Sequence, residues 1–232
     1  VHAERLSRAQ IRELHNRLTE APLDNYELLW VLESCLETSA SAVYGLGSFP
    51  WTAGLLAVHR QCIWLRLENE MLLETLLAQL PEPDFYRFYT TSPQTLDMLQ
   101  RWFPGGILTQ SCLCVRNLTR TWKKRFEVSV NSAPDPNTVE GWDYEVLDSD
   151  GGLVAACSSQ QVVPPWQEII KWVPVKEESF WTEQAWGAVT AVLLARGSPV
   201  VVRADSEDLF VALEPLGYRE FSKLYYYVAA RE

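Results

Sequence analysis

The chain has 232 residues, 47% of them hydrophobic and 22% charged, a composition that excludes wholesale disorder and suits one large domain or two small ones. Its 20 lysines and arginines face 30 aspartates and glutamates, and a formal net charge of −10 leaves no electrostatic footprint for gripping phosphate backbones or anionic membranes. No apolar run approaches the roughly 20 residues that span a bilayer, and no signal-like segment opens the sequence. The cytoplasm is the expected compartment, with neither nucleic acid nor membrane as a partner.

The cysteines Cys35, Cys62, Cys112, Cys114 and Cys157 are odd in number and scattered, without a CxxC pair beside histidines, so they read as reduced thiols. Cys112-Leu113-Cys114 has period two and puts both sulfurs on one face of a strand. His2, His15 and His59 stand too far apart in sequence to suggest a metal site. The 10 tryptophans serve the core first and binding surfaces second.

In chain order, Leu6, Ile11, Leu14 and Leu18 fall at helical spacing behind Ser7, a candidate cap. Asp24–Thr38 repeats the pattern, with Asp24 as expected N-cap. Gly45-Leu46-Gly47-Ser48-Phe49-Pro50 reads as a break, and lacks the lysine or glycine spacing of a phosphate loop. Leu55–Leu67 offers two paired strands, Glu70–Leu80 a helix and Phe85–Tyr89 a strand. Ser92-Pro93 opens a helix whose stripe Leu96, Leu99, Trp102 ends at Pro104-Gly105-Gly106. Strands follow at Ile107–Arg116 and Arg125–Val130, around a basic turn, Arg120–Arg125. Asn131–Thr138 (NSAPDPNT) has the composition of a linker.

Beyond it, Tyr144–Leu147 and Leu153–Cys157 flank Asp148-Ser149-Asp150-Gly151-Gly152, a strong hairpin signal. Glu168–Val175 is a strand, Trp186–Arg196 a helix stopped by Gly197, and Val200–Arg203 a strand. A short helix over Glu207–Leu216 ends at Gly217, and Leu224–Ala229 closes as a strand.

Three stretches carry a resemblance: Asp150-Gly151-Gly152-Leu153-Val154-Ala155-Ala156, Ala191-Val192-Leu193-Leu194-Ala195-Arg196-Gly197, and Ala204-Asp205 through Leu216-Gly217-Tyr218. The last aligns without a gap to the A-D-N-…-L-Y-x-x-L-G-F pattern of the GNAT superfamily of acyl-CoA-dependent N-acyltransferases. The order of hairpin, strand, helix, strand, short helix and strand is similar to that superfamily's second part. The resemblance implies an α/β fold with a mixed central sheet flanked by helices. It divides the chain into a GNAT-like C-terminal half, 136–232, holding the acyl-CoA cleft, and an N-terminal half, 1–135, similar to a degenerate GNAT-like repeat.

The resemblance also implies acetyl-CoA or another acyl-CoA as cosubstrate and a small-molecule or protein amine as acceptor. It places backbone contacts to pantetheine on the strand with Trp172, Val173 and Val175, and a pyrophosphate loop Q/R-x-x-G-x-G/A at the next helix's start. One registration of that loop reads Glu177-Glu178-Ser179-Phe180-Trp181-Thr182, with carboxylates and an aromatic ring where a dianion needs bare backbone. A second reads Gln184-Ala185-Trp186-Gly187-Ala188-Val189. The family's CoA-contacting asparagine is Ser206 here, and its acid tyrosine is Leu213, which cannot donate a proton. Tyr218 and Tyr225 are replacement acids by position, and Glu168 a base for the amine. Two functions stay open: acyl transfer, and a pseudoenzyme that keeps the framework to bind a protein or small ligand.

Overall fold

The computed structural model describes residues 3–230 apart from 39–40, 49–50, 52, 60–61, 81–84, 117–126, 131–142 and 177–178. The expected linker Asn131–Thr138, and with it the boundary between the two halves, lies outside the described residues, as does the whole of the basic turn Arg120–Arg125. The chain forms two units, Val1–Gln110 with Ser222–Glu232, and Ser111–Phe221.

The first unit begins with β1 (Ala3–Arg5), α1 (Arg8–Leu18) and α2 (Tyr26–Glu37). Ser7 caps α1 in a reciprocal box, its Oγ accepting from the Gln10 N–H while the Gln10 side chain accepts from the Ser7 N–H. Contrary to expectation, Asn25 and not Asp24 is the N-cap of α2, and it makes no side-chain capping bond. Its amide instead donates to the Ala21 carbonyl at 2.9 Å and fastens the preceding turn. Next come β2 (Ser41–Leu46), β3 (Gly54–His59), β4 (Cys62–Leu67), a 3-10 turn at Glu70–Leu72 running into α3 (Leu73–Leu77), β5 (Phe85–Thr90) and α4 (Pro93–Trp102).

The strand β2 runs through Gly45, where a break was expected. A Cβ there would sit 2.3 Å from the Trp51 indole, so the missing side chain makes room for a buried ring, not for a turn. Trp51 itself is held at φ 56°, a left-handed conformation that a bulky residue adopts only under packing constraint.

Strands β1 to β4 pair antiparallel in order, β4 and β5 pair parallel, and β5 pairs antiparallel with Tyr225–Ala230 of β12 (Arg219–Ala230). Both faces are covered. Ile11, Leu14, Leu28 and Leu32 of α1 and α2 pack on Val43, Leu55 and Trp64, while Leu73, Leu76, Leu96 and Leu99 of α3 and α4 pack on Leu56, Leu65, Phe88 and Tyr227.

The second unit contains most of β6 (Ile107–Arg116), then β7 (Glu127–Val130), β8 (Tyr144–Leu147), β9 (Leu153–Val163), β10 (Trp166–Pro174), α5 (Ser179–Ala195), β11 (Val200–Ala204) and α6 (Glu207–Leu213). Strands β7 to β10 pair antiparallel in order, β10 and β11 parallel, and β11 and β6 antiparallel. The sequence of directions is the same as in the first unit. Gly151 at φ 79° turns the expected β8–β9 hairpin, and Asp148 Oδ1 accepts from the N–H groups of Asp150 and Gly152. The Lys176 ammonium, 2.7 Å from Oδ2, and after it those backbone bonds hold the Asp148 carboxyl below its usual range.

Helix α5 begins seven residues before the expected Trp186, and Ala185, Trp186, Ala188, Val189 and Leu193 bury it against Val154, Cys157, Ile169 and Val202. Among the described residues no helix of either unit is long and apolar enough to cross a membrane.

Candidate active-site cleft of the second unit

Strands β10 and β11 share a short parallel ladder, Gln167–Ile169 with Val200–Val202, and among the described residues it goes no further. On its other side β10 stays paired with β9 as far as Pro174, after a register shift between Ile169 and Lys171. That irregularity inserts Ile170 as a bulge, and a bulge bends the strand that carries it. From Ile170 onward, among the described residues, β10 no longer pairs with β11, and the two strands border a wedge whose β10 backbone edge is not spent on that neighbour.

The wedge is lined with apolar surface. Ile170 and Val173 of β10 and Val175 just after it are 43%, 42% and 51% exposed, an uncommon density of open β-branched side chains on one short stretch. Trp172 turns the other way and stacks on Trp186 of α5, ring centroids 4.0 Å apart and planes within 13°. Both indole N–H groups are buried without an acceptor among the described residues. Helix α5 starts five residues after β10 ends, so its positive end lies at the sequence position where the wedge opens.

Ile169 points into the core with α5, so Glu168, its neighbour on a pleated strand, points to the opposite face. There its carboxylate meets Arg203 of β11, Nη2 to Oε1 at 3.4 Å. The pair stands at the last rungs of the ladder, just before the pairing ends.

No family model matches the chain, and no curated protein sequence does. Solved structures do. A GCN5-related N-acetyltransferase from Sphaerobacter thermophilus superposes with a TM-score of 0.65 at 12% identity, over 98% of this chain and 95% of that one. A GNAT-family acetyltransferase from Colwellia psychrerythraea gives 0.59 at 12% identity over 99% and 100%. A tandem GNAT protein from the clavulanic acid biosynthesis pathway gives 0.58 at 10% identity over 99% and 98%. The chain has the GNAT fold.

Within that fold the expected site residues separate into groups. Trp172, Val173 and Val175 lie on or just after the part of β10 beyond that ladder, and Glu168 within the ladder. Ser179, Phe180, Trp181 and Thr182 form the first turn of α5, with Thr182 half-buried; Glu177 and Glu178 lie outside the described residues. The alternative GNAT loop, Gln184–Val189, is corrected: these residues lie inside α5, where the N–H groups are spent on the helix itself. Ser206 is the N-cap of α6 and accepts from the Leu209 N–H at 3.2 Å. Leu213 is fully buried, and Tyr218 is buried with its hydroxyl sharing a 2.7 Å hydrogen bond with Thr190 of α5. Tyr225 belongs to the first unit, where it pairs with Thr90.

Two features escaped the sequence reading. Arg203 stood in an expected strand but was not connected to Glu168, although the alternation Val200, Val202, Ala204 already turned it outward. The bulge at Ile170 had one trace, the adjacent apolar pair Ile169-Ile170, which breaks a clean two-residue period.

Proposed function

We propose that the second unit receives an acyl-CoA thioester in the wedge between β10 and β11 and passes its acyl group to an amine. The observation that carries this reading is the parallel ladder that stops at Ile169–Val202 while β10 continues, bulged and lined with open valines. The first unit supplies the contrast. Its parallel ladder stops likewise, at Trp64–Tyr89, but Thr95 of α4 fills the gap, its Oγ1 accepting from the Leu67 N–H at 3.1 Å and donating to the Leu67 carbonyl at 3.3 Å. Strand-end backbone groups that Thr95 satisfies in the first unit are left for a ligand in the second.

The thioester supplies an activated acyl carbon. The backbone of Ile170–Pro174 offers hydrogen bonds to an amide-bearing arm, and Val173 and Val175 cover its methylenes. Glu168 takes the proton that the acceptor nitrogen sheds as its lone pair forms the C–N bond and the C–S bond breaks, while Arg203 fixes the carboxylate's orientation. The departing sulfur takes its proton from solvent, because Leu213 has none to give.

Calorimetric titration with acetyl-CoA and with CoA tests the reading. Micromolar to submillimolar binding is expected, weakened at least tenfold by Val173→Asp, and absence of heat at millimolar ligand sinks it. Thiol release with a panel of primary amines should fall roughly 100-fold or more in Glu168→Gln. The second reading, binding without turnover, is favoured by the commitment of Ser206 to a helix cap and of the Tyr218 hydroxyl to Thr190. It predicts acetyl-CoA binding with no thiol release for any amine.

A further inference from the structure

A second cavity, wholly inside the first unit, lies between α1, α2 and the paired strands β3 and β4, and has a volume of about 220 Å³. A water occupies roughly 10–15 Å³ on this measure, so the space suits a molecule of about a dozen heavy atoms or somewhat more. Leu14 and Leu18 of α1, one turn apart, line it with Leu28 of α2, Leu55 of β3 and the strained Trp51. Three charged side chains complete the lining, Arg17 of α1 with Arg66 and Glu68 at the end of β4. Arg66 is the cross-strand partner of Leu55, whose side chain packs with α1 and α2. The Glu68 N–H donates to the Ala53 carbonyl at 3.2 Å, so the ladder runs past Leu67 and keeps Glu68 on the same face as Arg66, about 6–7 Å along the strand. Both are exposed, and among the described residues neither makes a side-chain hydrogen bond or ion pair, whereas Arg17 is already engaged within the chain.

We propose that this cavity binds a large apolar α-amino acid as its zwitterion, the carboxylate received by Arg66, the ammonium by Glu68 and the side chain by the leucines. A purely apolar ligand matches the walls but leaves a guanidinium and a carboxylate at their edge with nothing to meet. A simple anion meets Glu68 as well as Arg66, and the net charge of −10 adds to that repulsion. A simple cation meets two guanidiniums. A zwitterion carries opposite charges on neighbouring atoms of one short frame, which suits one basic and one acidic side chain at successive positions of one strand face. It is also neutral toward the field of the whole chain. The planar fork of the guanidinium matches a carboxylate in shape as well as sign. All of these residues belong to the first unit, so acyl transfer in the second stands or falls separately.

The methyl resonances of Leu14, Leu18, Leu28 and Leu55 report on the cavity directly. L-Phenylalanine, 3-phenylpropanoate, which lacks the ammonium, and phenethylamine, which lacks the carboxylate, are titrated into the full chain at constant ionic strength. Phenylalanine is expected to shift these signals saturably, with a Kd in the submillimolar to millimolar range, and the other two to bind roughly tenfold or more weakly. Arg66→Gln and Glu68→Gln, both at exposed positions and checked for folding by thermal melting, should each weaken phenylalanine about fivefold or more. Glu68→Gln should at the same time bring 3-phenylpropanoate closer to phenylalanine, and Arg66→Gln should do so for phenethylamine, changes of preference that a merely structural role would not produce. Equal affinity for 3-phenylpropanoate in the unaltered chain would assign the cavity to an amphiphilic anion, and equal affinity for all three to an apolar ligand. Either result overturns the proposal, as do an unchanged affinity for phenylalanine in either variant and shifts that do not saturate.

Discussion

A thiol withdrawn from water gives up its proton reluctantly, and in Cys157 burial does this with help from the nearby Asp143 carboxylate, pushing the group up to about 12. Cys114 is likewise raised to about 12, chiefly by burial. Both therefore stay protonated in the folded chain while an unfolded chain would ionise them near pH 9. The folded state then holds more protons, so the stabilisation is full below about pH 9 and is lost as pH rises toward 12. Urea midpoints should fall across that window, less steeply in Cys157→Ala. At pH 8 alkylation of the folded protein should reach the partly exposed Cys62 and Cys112 and spare Cys114 and Cys157. Some of this was legible in advance: the period-two spacing put both sulfurs of Cys112 and Cys114 toward one core. What could not be read was Gly45, because a glycine that yields to a distant ring is written identically to one that makes a turn.

Elements with a strong local signal came out where expected. Ser7 with Gln10 and Ser92 before Pro93 are self-contained caps, and Asp148 with Gly151 is a self-contained turn. Elements set by packing did not. The first turn of α5 carries Phe180, Trp181 and Thr182, residues of middling helix propensity, so the alanine-rich stretch seemed to mark its start. The end of β4 belongs to the same class, since its backbone depends on one hydroxyl from α4. Thr95→Val keeps the shape and removes both bonds to Leu67, leaving a buried N–H and C=O with less than their due. It should cost about 2 kcal/mol or more in urea unfolding, whereas Thr95→Ser, which keeps the oxygen, should cost less.

At the scale of the whole molecule, the order of strands and helices near the C-terminus pointed to the GNAT fold, because direction and connectivity follow from short periodic segments that sequence displays. The candidate cleft was legible as far as β10 and, through the resemblance, the stretch Ser179–Thr182, although the helical pattern put the start of α5 seven residues later. The Glu168–Arg203 pair was not, since it depends on the register between strands whose sequence positions are 35 apart. Register also decides the first unit's integrity, for Tyr225–Ala230 supplies the strand beside β5. Ending the chain at Phe221 should strip amide-exchange protection from Phe85–Thr90 by several orders of magnitude, while the circular-dichroism couplet of the stacked Trp172–Trp186 pair persists. Retained protection in β5 would show that the added strand is dispensable.

That borrowed strand sets a schedule for biosynthesis. A ribosome makes residues 1–110 early, yet their sheet lacks a member until codons for 225–230 have been read. Throughout that interval β5 presents an unzipped, aromatic-rich edge, open to mispairing or to chaperones.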